Sequence, residues 1–156
     1  ITINANKIDL NESGIRSSTI GEGNAGNIAI TADDSIAIRG TTIQAGTDEQ
    51  ASGNGGSIIL NAGNNISVDS SLILSQVRDE SSGNAGEISI SSNMIDIRTF
   101  SLVSANAQID TFGRAGNLNL DGTNILIREG AILDASTENG VDAGSIKKSS
   151  KINFGF

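Results

Sequence analysis

A chain of 156 residues with no Cys and no His has no disulfide, no thiolate or imidazole metal ligand and no imidazole catalysis. A net charge of −8 and a pI near 4.3 leave no basic stripe for a phosphate backbone, which sets nucleic acid aside as a partner. With 37% hydrophobic residues, no Trp and no Tyr, a core built on aromatic anchors is excluded too, although abundant Ile alternating with polar residues suits a narrow aliphatic core.

The first predicted strands carry Ile1 and Ile3, then Ile8 and Leu10, and a third run reaches Ile15 in a register the sequence does not fix. Beginning inside a strand, the chain is expected to be a piece of something longer. From Gly23 the pattern becomes regular. Gly23-Asn-Ala-Gly26, Gly53-Asn-Gly-Gly56, Gly83-Asn-Ala-Gly86 and Gly113-Arg-Ala-Gly116 recur at one constant spacing, and a fixed period means one supersecondary unit copied and stacked.

Each unit holds three short alternating runs, predicted as three strands. The first run aligns Ile28, Ile58, Ile88 and Leu118, and with them Ile30, Leu60, Ile90 and Leu120. The second aligns Ile36, Ile66, Ile95 and Ile125, slipping by one residue after Leu60, and the following turn absorbs the slip. The third aligns Ile43, Ile73, Val103 and Leu133, followed by the small residues Ala45, Ser75, Ala105 and Ala135. A further unit opens at Gly144 and Ile146 but places Lys148 where the aliphatic column should continue. The expected organisation is therefore a repeat segment over 1–146 and a cap or truncation tail over 147–156.

No leucine-rich-repeat signature, propeller aromatic mark or helical period is present. Three strands and three turns per unit predict an all-β fold, a three-sided parallel β-helix (solenoid) of about five coils. Neighbouring coils then hydrogen-bond at ~4.8 Å, for a rod about 25 Å long. Like side chains stack into inward ladders worth ~1.5–3 kcal/mol per buried aliphatic. Gly26, Gly56, Gly86 and Gly116 fit coil corners, which need positive φ or a close backbone approach. A phosphate cradle would need a helix to follow, and none does.

The stretch from Gly113 through Gly116-Asn-Leu-Asn-Leu120 to Ala135-Ser-Thr137 resembles the repeat of filamentous-haemagglutinin-like exoproteins, and is most similar to long cyanobacterial ones. The Gly-x-Ala-Gly-Asn-Ile-x-Ile opening and the third strand from Gly40 to Thr47 carry the likeness, which covers residues 1 to 146. The resemblance implies a right-handed β-helix, two-partner secretion through an outer-membrane transporter, residence at the cell surface or outside the cell, and roles in adhesion, aggregation or biofilm. It transfers no functional residue.

Pectate-lyase-like enzymes share such coils, but they cluster carboxylates with Arg or Lys on long irregular loops. Here the loops are short and repeat-like, carrying Asp48 and Glu49, Asp79 and Glu80, Asp110, then Glu138 and Asp142. Paired carboxylates suit glycan hydrolysis or a Ca²⁺ site; the simpler reading is a solvated acidic edge. Asp48, Glu49, Asp79 and Glu80 are the weak Ca²⁺ candidates, and no other cofactor is expected. Asn11-Glu-Ser13 and Asn65-Ile-Ser67 are formal sequons, the second within a strand. Ile59, Leu74 and Leu126 are expected to point away from the core, as sites for lateral packing if they form a strip.

The expected function is that of a non-enzymatic, structural or adhesive segment of a secreted fibrous protein, mainly a rigid spacer. Two alternatives stand beside it: a carbohydrate-active β-helix or glycan-binding module, and a self-assembling filament joined through open β-helix ends. The receptor, whether cell surface or glycan, is not named by the sequence.

Overall fold

The computed structural model describes the chain from Ile1 to Gly155 except Asp79, Ile109, Asp110, Asn139, Ser150 and Lys151, with the backbone alone over 152–155. Among the described residues it is all β, without helix, and every strand pair is parallel. The chain is a parallel β-solenoid of about five turns, one sequence repeat to each turn.

Coil 1 consists of β1 (Thr2–Asn11) and β2 (Gly14–Arg16), and coil 2 of β3 (Ile28–Arg39) and β4 (Thr42–Gln44). In both, one long strand runs through the first two sides. Coil 3 separates them as β5 (Ile58–Ala62), β6 (Asn65–Asp69) and β7 (Leu72–Leu74). Coil 4 has β8 (Ile88–Ser91), β9 (Met94–Arg98) and β10 (Leu102–Ser104), and coil 5 has β11 (Leu118–Asp121), β12 (Asn124–Arg128) and β13 (Ile132–Asp134). Then β14 (Ile146–Lys148) pairs on β11 and β15 (Ile152–Gly155) on β12, which carries the stacking across the boundary expected near residue 146. The third sides form their own five-stranded sheet, β13-β10-β7-β4-β2. Ile15 lies beside Ile43, which settles the register of the first coil's third strand.

Alternation along each strand turns every second side chain inward, and the period repeats that choice from coil to coil. Ile28, Ile58, Ile88 and Leu118 form one buried ladder, and Ile30, Leu60, Ile90 and Leu120 the next. Ile36, Ile66, Ile95 and Ile125 face them from the second side, and Ile43, Ile73 and Val103 close the core from the third. Of the expected outward aliphatics, Ile59 is exposed and Leu126 half-buried, but Leu74 is buried. Beyond Ile73 the third side is buried on both faces through Val77, so strict alternation fails where the coil closes toward its loop.

The slip in the second strand has a specific anatomy. Asn61 pairs with Ser91, a full repeat on, but across the first corner Asn65 pairs with Met94, one position short of a full repeat. At the second corner coils 4 and 5 restore the missing residue, and Leu72 again faces Leu102. The restored residue is accommodated by paired left-handed conformations: Thr99 and Phe100 at φ 53° and 55°, Glu129 and Gly130 at 54° and 76°. Gly40 and Ser70 fill that corner in coils 2 and 3 with one positive φ each, 54° and 48°.

Candidate functional site

The tetrads are the most regular chemistry in the chain. None of their glycines has positive φ. A Cβ on Gly56, Gly86, Gly116 or Gly144 would come closer than 3.0 Å to the carbonyl oxygen of Gly26, Gly56, Gly86 or Gly116, respectively. Gly53, Gly83 and Gly113 stand likewise over Gly23, Gly53 and Gly83. Close approach between coils therefore decides these positions, and the alternative of a left-handed corner is excluded for them. Gly26, in the first tetrad, faces Ser17 Oγ instead.

The tetrad Asn makes the complementary contact. Asn24 Oδ1 accepts the N–H of Asn54 at 2.8 Å, Asn54 Oδ1 that of Asn84 at 2.8 Å, and Asn84 Oδ1 that of Arg114 at 2.9 Å. Ser75 inserts a variation within the core: its hydroxyl donates to Gly56 O at 2.8 Å and accepts from Gly86 N at 2.9 Å. These groups are engaged in stacking.

The loop carboxylates are dispersed rather than assembled. Arg16 grips both oxygens of Asp48 at 2.6 and 2.7 Å, and Arg78 approaches the same group at 3.8 Å. Glu80 accepts from Gln50 at 2.9 Å, and Glu49 is exposed. Asp79 and Asp110 lie outside the described residues. Among the described residues no group of three or more carboxylates converges as a metal site. Of the two sequons, Asn11 ends β1 and Asn65 opens β6.

Sequence reasoning missed the most buried carboxylate among the described residues. Asp96 sits mid-strand in β9 on the outer face, 7% exposed. Arg128 reaches it through two bonds of 2.9 Å and Arg98 through one of 2.7 Å. Arg98 also holds Asp69 at 3.1 Å, and Arg128 pairs with Glu129. Burial pushes the Asp96 carboxyl up, but hydrogen bonds and charge from Arg128, joined by Arg98, hold it below the ordinary carboxylate range. A carboxylate kept ionised in this way suits cross-coil anchoring better than proton donation. The only hint in the sequence was an acid in an outward column that also holds Asp9, Ala37, Ser67 and Leu126.

A concave feature lies elsewhere, at the first corner of the upper coils. A groove of about 680 Å³ opens along this corner from Ala62 and Gly63 of coil 3 to Ser149 above coil 5. Its polar wall includes Ser91, Asn93, Asp121, Thr123 and Asn124. The groove coincides with the shortened corner of coils 4 and 5, whose signal in the sequence was the residue missing between Ile66 and Ile95.

No family model matches the chain, and no curated protein or solved structure matches it either. No helix among the described residues is long and apolar enough to cross a membrane.

Proposed function

We propose that this chain is a structural segment of a secreted, adhesive fibrous protein, acting mainly as a rigid rod that sets distance. The observation that carries this reading is the coil-to-coil use of the tetrads. Their Gly and Asn groups are committed to stacking the next copy, so each added unit lengthens the rod by ~4.8 Å. The likeness of the repeat to filamentous-haemagglutinin-like exoproteins supports the extracellular setting and an outer-membrane transporter as the export partner. The doubly paired Asp96 is held in ion pairs with Arg98 and Arg128 and offers no free acid for glycan hydrolysis.

The test is to insert or delete whole coils in phase within the full-length protein and measure cell adhesion and surface reach. The rod reading expects both to scale with coil number, whichever coils are changed. Adhesion indifferent to length would sink it. Product release from neutral or uronic polysaccharides by the purified chain would establish the enzyme instead.

A further inference from the structure

We propose that the groove at the first corner is a binding subsite for a neutral, hydroxyl-rich chain, a glycan segment laid along the rod axis. The inference adds a contact to the rod and does not depend on its spacing role.

Shape is the first argument. The wall draws on coil 3, coil 4, coil 5 and Ser149 above them, so it spans three inter-coil steps, about 14 Å at ~4.8 Å each. The 680 Å³ volume lies within the usual range for a bound small molecule. The groove is elongated because the shortened corner is repeated in coils 4 and 5.

Chemistry is the second argument. Ser91, Asn93, Thr123 and Asn124 line the groove, and their side chains have no hydrogen-bond partner among the described residues. By contrast Asn54, Asn84 and Asn117 commit their side chains to the coil above. Amides and hydroxyls offer donors and acceptors together, as sugar hydroxyls do, so either partner can supply the proton in each bond. Among the described residues no apolar side chain larger than Ala lines the groove, which disfavours a hydrophobic ligand.

Charge is the third. Among the described residues the wall holds one acidic group, Asp121, which accepts from Ser149, and no Lys or Arg. An anionic chain would be repelled there and drawn instead to the adjoining 240 Å³ hollow that carries Lys147 and Lys148. Without an aromatic platform for stacking, the expected Kd is in the millimolar range, about 1–10 mM.

The experiment is a two-dimensional amide NMR titration of the 156-residue chain with maltotriose, cellotriose and trigalacturonate. A neutral trisaccharide should shift amide signals of residues 91–93 and 121–124 and saturate. Thr123→Leu, which fills part of the groove with an apolar branch from an exposed turn, should abolish the shifts. Asn93→Ala with Asn124→Met should weaken binding about tenfold or more; Met94 already occupies the position equivalent to 124 in coil 4, so this variant keeps the fold if the leucine does not. Unchanged circular dichroism would verify folding. The proposal is overturned if neither neutral sugar shifts these signals, if the shifts survive both variants, or if trigalacturonate binds more tightly through Lys147 and Lys148. Each of these outcomes leaves the dependence of adhesion on rod length untouched.

Discussion

Asn54 Oδ1 accepts the backbone N–H of Asn84 at 2.8 Å while Asn54 Nδ2 lies 3.3 Å from Asn24 Oδ1, so one side chain ties three coils. The bond to the coil above satisfies an amide at a corner, outside the strand ladders. Asn54 Oδ1 also accepts from Asn84 Nδ2 at 3.3 Å, so Asn54→Ala removes three contacts at an exposed site and should cost about 0.5–1.5 kcal/mol. Asn54→Asp keeps the acceptor for Asn84 and exchanges the donor to Asn24 for an oxygen facing Asn24 Oδ1; solvent and salt screen that repulsion at this exposed site, so near neutral pH it should cost less than Ala. Denaturant melts of the two variants check the order; equal losses would mean that the N–H acceptor contributes nothing.

The tetrad glycines can be separated from ordinary glycines by one methyl group. In Gly86→Ala the new Cβ meets Gly56 O and Ser75 Oγ, and the backbone of the adjacent coil has no rotamer by which to yield. A loss of about 2–4 kcal/mol is expected, comparable to other overpacked or strained sites. Gly23→Ala supplies the contrast, since nothing lies within 4 Å of its Cβ and its φ is not left-handed. That variant should be neutral or gain a few tenths of a kcal/mol through the unfolded chain. Thermal unfolding of the pair decides between close packing and corner conformation as the reason for glycine.

Much of the fold was legible in the sequence because a solenoid reports each inward position several times. Ile28, Ile58, Ile88 and Leu118 specify one column in four copies, and the shortened step from Ile66 to Ile95 disclosed the tightened corner. What occurs once has no such redundancy. Asp96 gained its meaning from Arg128, 32 residues away, and Asp48 from Arg16, also 32 residues away across a coil. Sequence neighbours such as Asp48 and Glu49 suggested a pair, but pairing in a stacked coil runs along the rod axis. The groove was illegible for a different reason, since a missing residue leaves no side chain to notice.

Acid should release the Asp96 anchor. Its carboxyl titrates below the ordinary Asp value of about 3.9 in the folded chain, because Arg128 and Arg98 outweigh the opposing effect of burial. A depressed folded value means that the unfolded state binds the proton more tightly. The stabilisation is therefore fully present above about pH 4 and is lost as pH falls through the folded value. Asp96→Asn removes this dependence. Wild type and variant should differ most in stability near neutral pH and converge in strong acid. Chemical denaturation across pH 2–7 measures the gap, and a gap that stays constant or widens in acid would rule the anchor out.

Lys148 stands directly beside Leu120 in the inward column, extending the line Ile30, Leu60, Ile90 and Leu120 with an exposed charge. A cation at a core position makes a poor template for another coil, in the way that inward-pointing charges blunt sheet edges. Lys148→Leu restores the aliphatic column and leaves an apolar side chain at the edge of β14. The variant should associate at concentrations where the parent chain does not, through added strand pairing at this end. Sedimentation velocity over a concentration series checks it, with Lys148→Gln as the control for loss of charge alone. Association of the Leu variant but not the Gln variant would assign the effect to the restored apolar ladder; equal association of both would assign it to charge repulsion.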